Sequence, residues 1–480
     1  MTRRRSRPLG LTLAALASIM LTACAVGPSH TPPVVTAVPA WQAPVPHGGD
    51  VAALASWWSR WNDPVLVGLV EAAQATNPSL EQAVARISQA RAVQVIAGST
   101  ALPGVTAIAS AMRSSSGVAA NGPAAMSNVS TSLQAAWELD LFGGNRRTRE
   151  AADARFIARN IDWHSARVSL AAEVAATYVS LRINQALLTG FERDAASRSE
   201  TSRLTGLKTD AGFEAPANAA LARASASEAA ARLTAQRAQV DLDIKALVAL
   251  TGLAESVLRK TLMTDRVKPP SPARFKVNAI PAAALAQRPD LAAAERDLAA
   301  LTAEIGVAEA DRYPRISLTG SVGYSVSRMA GFTNDGATWG FGPSITVPLF
   351  DAGRRSANVD LARARYAEAL AGYKAAATRA VREVEEALTQ LQAAQTRLPQ
   401  LNAALEGFVS FEKAAQARLS AGAGSVLELE DARRAVLGAQ VAVLALERER
   451  ANAWISLYRA AGGGWDASQT QALLQVSENK

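Results

Sequence analysis

One cysteine, three histidines and a 5 % share of aromatics are all that 480 residues supply of these types. A single cysteine excludes a disulfide framework, and His30, His47 and His164 stand too far apart in sequence to support a histidine-based metal site. Apolar runs are short: Leu9 to Leu21 covers 13 residues, below the roughly 20 that a membrane-spanning helix needs. Positive charge is also scarcer than the formal +8 suggests, because Arg3, Arg4, Arg5 and Arg7 sit in an N-terminal leader. What remains is too little to argue for nucleic acid as a partner.

What the chain does have is alanine, within a 49 % apolar share. Alanine favours helix and lets helices approach closely, so the balance predicts long, thin, tightly packed helices rather than a thick globular core.

The N-terminus reads as a secretory leader over residues 1–23: an arginine-rich start, the short apolar run, then Leu21-Thr22-Ala23-Cys24. Small residues before a cysteine are what a lipoprotein signal peptidase needs, so Cys24 is the expected attachment point for a diacylglycerol and an N-acyl chain. No other cofactor is expected. Several acyl chains on one residue anchor firmly. Ala25 follows the cysteine, where the absence of aspartate fits sorting to the bacterial outer membrane. Residues 25–56 are rich in proline and read as an extended tether, the lipidated segment as a whole covering 24–76.

Laid on itself, the chain repeats. Asn77-Pro78-Ser79-Leu80 corresponds to Arg288-Pro289-Asp290-Leu291, and Leu102-Pro103 to Tyr313-Pro314, at an offset of 211. Leu141-Phe142 with Arg146-Arg147 recurs as Leu349-Phe350 with Arg354-Arg355 at an offset of 208. Val174, Leu181, Gln185, Leu188 and Gly212 recur at an offset of 210. Ordered matches over such a length mean duplication, with repeats spanning 77–252 and 289–462, a proline-rich irregular belt at 253–288 and a tail at 463–480.

Each repeat reads as helix, two strands, a very long helix, a tight turn and a helix. Residues 129–141 alternate apolar and polar, as do 315–328 and 338–349; a further strand is expected near 104–115. Such strands suit a transmembrane barrel or a soluble sandwich equally, and the acylated N-terminus favours the membrane. Four strands cannot close a barrel; three copies would give twelve. Residues 144–211 and 352–421 read as helices of roughly 100 Å, with Val174, Tyr178, Leu181, Gln185 and Leu188 stepping by 4, 3, 4 and 3 as in a coiled-coil seam. Pro399 inside the second predicts a bend near Leu398.

With these features in place, the chain resembles the TolC-like outer-membrane efflux lipoproteins. The carriers are Cys24-Ala25-Val26-Gly27-Pro28, Trp57-Trp58 with Asp63-Pro64, the two helix starts at 77 and 288, Val347-Pro348-Leu349-Phe350-Asp351 and the closing Gly462-Gly463-Gly464-Trp465. The resemblance implies a mixed α and β membrane protein: a homotrimer with a 12-stranded β-barrel continued by a periplasmic α-helical barrel. It implies docking to a periplasmic adaptor and through it to an inner-membrane transporter of the RND type. It also implies contact with outer-membrane lipids, and a passive gated duct rather than an enzyme. The tips at 209–216 and 421–425 would face the adaptor through Asp210, Gly212, Glu214, Gly422 and Gly424. Leu427 and Asp431 match the family's aperture segment, with Glu428 and Glu430 as alternatives for the acidic ring; a solvated acidic face is the bland reading of the same residues. The first tip lacks the acidic residue that relatives often carry, having Ala217-Asn218-Ala219-Ala220 instead.

Two competing readings remain at this level. A non-conducting trimeric coiled-coil lipoprotein, structural or adhesive, would explain the acylation and heptads but needs neither the strands nor the duplication. An enzyme would have to use Glu428 with Asp431, or His164-Ser165, and neither lies in a nucleophile or phosphate-binding motif.

Overall fold

The computed structural model describes residues 25–33, 42, 57–116, 124–264, 285–329 and 332–465. Cys24, the leader at 1–23 and residues 466–480 of the tail lie outside the described residues.

After a 3-10 turn at Trp58–Trp61, the elements follow in duplicated order. The first set is α1 (Pro64–Thr76), α2 (Pro78–Ser99), β1 (Gly104–Ser116), β2 (Ala124–Leu139), α3 (Gly144–Asp210) and α4 (Pro216–Thr251). A short α5 (Glu255–Thr264) precedes the second set: α6 (Pro289–Ala310), β3 (Arg315–Met329), β4 (Phe332–Thr346), α7 (Arg354–Ser420) and α8 (Val426–Ala460). Residues 253–288 are therefore not irregular throughout, because α5 starts with an acid, Glu255, in its first turn and buries Leu258 and Leu262 in the core. Strands β2 and β4 begin five to six residues before the alternating stretch suggested, at Ala124 and Phe332.

Both long helices have 67 residues, about 100 Å at 1.5 Å per residue. Helix α7 runs unbroken through Pro399. Each starts after a glycine in the left-handed region, Gly143 (φ 80°) and Gly353 (φ 86°), which sets the repeat offset at 210 from the first helical turn. The offset of 208 at Phe142 and Phe350 thus reflects two extra residues, Asp351-Ala352, rather than a pairing of Arg146-Arg147 with Arg354-Arg355. Carboxylates cap both starts: Asp140 accepts from the amides of Asn145 (3.1 Å) and Arg146 (2.8 Å), and Asp351 from Gly353 (3.1 Å) and Arg355 (3.3 Å).

The shorter helices are spliced end to end by the repeated dipeptides. Asn77, before Pro78, donates from Nδ2 to the Leu250 carbonyl at the end of α4 (2.9 Å), and Thr76 donates to the Thr251 carbonyl (2.7 Å). Arg288, before Pro289, does the same work in the second repeat, donating to the Ala460 carbonyl at the end of α8 (3.2 Å). Proline starts the next helix without losing a bond, and its neighbour satisfies the carbonyls that the previous helix leaves open. Around the first splice lies the main core, with Trp57, Tyr178, Leu181, Leu247 and Leu388 wholly or almost wholly buried. Asp63 caps α1 through the amides of Val65 and Leu66 (both 3.1 Å) and accepts from the Tyr178 hydroxyl (2.7 Å).

Residues 25–33 lie against the junction of sheet and helices. The Val26 amide donates to the Phe142 carbonyl (3.2 Å), and Arg147 donates to the carbonyls of Val26 (3.3 Å) and Gly27 (3.2 Å). A Cβ on Gly27 would come within 2.4 Å of the Gly306 Cα, so the strap crosses α6 where neither residue carries a side chain. Phe142 stacks on Tyr313 at the same junction, centroids 4.7 Å apart.

The four strands form one antiparallel sheet in the order β1-β2-β3-β4. Register fixes its faces. One carries rows such as Ala107, Leu133, Val322 and Trp339, then Val105, Ala135, Gly320 and Phe341. The other carries Ser110, Ser130, Ser325 and Gly336, and Thr106, Gln134, Ser321 and Gly340. One face is thus apolar and aromatic, and the other is mostly small and polar, interrupted by Ile108, Met112 and Phe332, the pattern of a wall between lipid and an aqueous lumen. Among the described residues no helix is long and apolar enough to cross a membrane.

Candidate functional site at the helical tips

Both hairpins turn on the same device. In the first, the Gly212 amide donates to Thr209 (3.0 Å) and the Phe213 amide to Lys208 (2.8 Å), with Gly212 at φ 76°. In the second, Gly422 (φ 72°) donates to Leu419 (3.1 Å) and Ala423 to Arg418 (2.9 Å). These paired bonds close a helix end, and they require a left-handed residue that glycine adopts without strain.

Beyond the turn the tips diverge. Pro216 opens α4, whereas α8 starts on Ser425, whose Oγ accepts from the Glu428 amide (3.1 Å). Glu214 accepts from Asn218 Nδ2 (2.5 Å), and that bond holds its carboxyl below the ordinary value. Phe213 is 85 % exposed, whereas its counterpart in the second tip is Ala423. The sequence reading missed Phe213; an aromatic placed directly after a turn glycine was its only signal.

Of the four acidic-segment candidates, two stay on one exposed face. Leu427 is 51 % exposed, and Asp431, four residues on, is exposed and bonded to Arg434 one turn further. Glu428 folds back onto Arg418 across the turn. Glu430 does not share the exposed face: it is 6 % exposed and points into the wall. There its Oε2 lies 3.3 Å from both Arg198 Nη1 and Ser225 Oγ, and its Oε1 accepts from Arg433 (3.2 Å). Arg198 in turn donates to Asp194 (2.9 Å) and Ser225 (2.6 Å), while Arg433 reaches Thr201 (3.0 Å) and Gln416 (3.1 Å). Two arginines and two carboxylates, with Ser225, Thr201 and Gln416, therefore tie α3, α4, α7 and α8 together. Arg198 lies 13 residues above the first tip, about 20 Å along α3.

Residues 69–253 and 280–463 match the family described as outer membrane efflux protein, in two stretches that follow the two repeats. The chain belongs to the outer membrane efflux protein family. It is 31 % identical over 477 residues to Nodulation protein T of Rhizobium leguminosarum bv. viciae, covering 97 % of this chain and 95 % of that one. It is 31 % identical to outer membrane protein OprJ of Pseudomonas aeruginosa, covering 95 % and 96 %. Among solved structures it is similar to the outer-membrane channel OprN, at 30 % identity and TM-score 0.79 over 92 % of this chain and all of that one. It is also similar to the open state of the Neisseria gonorrhoeae MtrE outer membrane channel, at 26 % identity and TM-score 0.79 over 92 % and 98 %. As a member of this family the protein is the outer-membrane channel of a tripartite efflux system and not an enzyme. Three chains close the barrel, edge strand β1 of one meeting β4 of the next, and the trimer works with a periplasmic adaptor and an inner-membrane pump component.

Proposed function

We propose that the protein is a passive duct gated at its periplasmic end, anchored by acyl chains on Cys24 and served by an inner-membrane transporter of the RND type. The observation that carries the gate is the division of labour on α8: Leu427 and Asp431 on the exposed face, Glu430 in the buried tie. In a trimer each exposed residue becomes a ring, Leu427 constricting the path and Asp431 favouring cations, as charged rings do in channels. The tips, with Asp210, Gly212, Glu214, Gly422 and Gly424, form the adaptor-facing surface, to which Phe213 adds an exposed aromatic anchor of the kind that dominates interfaces. The middle of the lumen face is lined by serine, threonine, glutamine and glycine, which offer no pocket to a particular cargo, so selection falls to the pump. Relatives named as solvent, toluene and antibiotic efflux components fit a pump for small organic molecules.

Support for the anchor comes from the strap. Residues 25–33 are held at the sheet–helix junction, which places the residue after Cys24 beside the inner edge of the barrel. Native mass spectrometry of the detergent-extracted trimer should give chains that start at Cys24 with three acyl chains. An unmodified N-terminus would overturn this part, and co-purification with a transporter of another class would overturn the RND assignment.

Planar-bilayer recording tests the gate. Wild-type trimers should show small, cation-selective conductance, and Asp431→Asn should move the reversal potential toward zero while leaving the trimer intact. Unchanged selectivity in Asp431→Asn would remove that residue from the aperture.

A further inference from the structure

At its far end, away from the helices, the apolar face of the sheet stops at a pair of arginines. On β3 the outward face runs Ile316, Leu318, Gly320, Val322, Tyr324 and Val326, then Arg328. On β1 it runs Val105, Ala107, Ala109 and Ala111, then Arg113. Register puts the two in one row, Arg113 opposite Ser127 and Ser127 opposite Arg328, so they stand two strands apart, about 10 Å.

The height of this row follows from strand geometry. Ile316 to Val326 spans ten residues, about 34 Å along the strand and about 26 Å along the barrel axis at a tilt of about 40°. That is the thickness of the apolar band of a barrel wall, about 25 Å. Arg328 lies two residues further, about 5 Å above the band, at headgroup level, and because the row is inclined by the same tilt Arg113 stands about 6 Å from that height, at the edge of the band. Because β1–β2 and β3–β4 are joined at the end remote from the helices, this is the external leaflet.

Neither guanidinium is committed to an acid among the described residues. Arg113 makes no ion pair among the described residues, and Arg328 only donates to Thr333 Oγ1 (3.3 Å). The acid on that face, Asp335, sits one row lower and accepts from the Tyr324 hydroxyl instead. Both arginines are exposed.

We propose that Arg113 and Arg328 form a binding site for the phosphate groups of lipid A in the outer leaflet, repeated three times around the barrel. Guanidinium offers paired donors to phosphate oxygens, and a row at the rim of the apolar band lets the acyl chains lie on Val322, Leu133 and Trp339 while the phosphates meet the charge. The occupant is anionic because two cations with no ion pair among the described residues, at a headgroup boundary, favour a net negative headgroup over a zwitterionic one whose own ammonium already neutralises its phosphate.

The test is lipid titration of purified full-length trimers in neutral-lipid nanodiscs, read by melting temperature and by lipid adducts in native mass spectrometry. Lipid A should stabilise and adduct to the wild type. The double variant Arg113→Ala/Arg328→Ala should bind it about 30-fold more weakly, from about five-fold per arginine. Arg113→Lys/Arg328→Lys, which keeps the charge, should retain most of the binding and shows that the rim tolerates change. Equal stabilisation of wild type and the alanine variant, or equal stabilisation by dephosphorylated lipid A, would overturn the site. A full shift from inorganic phosphate alone would overturn the assignment to lipid.

Discussion

Glu430→Ala is expected to leave the periplasmic end open. The substitution strips one carboxylate from a cluster of two arginines and two carboxylates and leaves Arg198, 3 % exposed, facing Asp194 alone while Arg433 loses its closest acid. Removing one member of a buried ion pair costs about 3–5 kcal/mol. We expect the cost to fall on the closed arrangement, with these groups drawing apart as α3, α4, α7 and α8 splay. A loss of 3 kcal/mol shifts a two-state equilibrium about 150-fold. Bilayer recordings should therefore show long open dwells at many times the wild-type open probability, with the trimer still assembled. Glu430→Gln, which keeps the shape and the contact with Ser225, should fall between the two. If Glu430→Ala lowers the melting temperature but leaves conductance at the wild-type level, the cluster is only a strut.

The second large effect concerns the barrel wall. Val322 stands on the apolar face between Leu133 and Trp339, and Ser321 next to it faces the lumen with Gln134 and Gly340. An arginine at mid-depth on the lipid face costs about 2–4 kcal/mol per copy, whereas a lumen position is solvated. Val322→Arg should sharply reduce trimer recovered from outer membranes, and Ser321→Arg should assemble near the wild-type level. The reverse pattern would mean that the two faces are assigned the wrong way round, and comparable losses from both would mean that neither position meets lipid in preference to water.

Much of this architecture is legible in the residues because the signals are local. Alternation marks strands, the step of three and four marks the long helices, and Gly212 and Gly422 mark the turns. What escaped is non-local or ambiguous. Strands β2 and β4 extend toward the outer hairpins through Ala124-Ala125-Met126 and Phe332-Thr333-Asn334, which do not alternate cleanly. Their pairing with β1 and β3 carries the ladder through. Glu430 stands among the alternatives for the acidic ring because three acids within four residues look like one solvated face. Counting back by sevens from Leu444 through the buried Leu437 lands on Glu430, so the heptad did mark it as inward. Its partner Arg198 is 232 residues away, and nothing near Glu430 announces it.

The stack of Phe142 on Tyr313 joins the end of the first repeat's sheet segment to the start of the second's. Its counterparts by repeat offset are Phe350 and Leu102, and these stand 91 % and 69 % exposed in a single chain. A trimer takes the same step six times around its axis, three times within chains and three times between them. The intermolecular seam thus repeats an intramolecular one. A chain carries a finished copy of the joint and the two halves of an unfinished one, so its quaternary partner is a rotated image of itself.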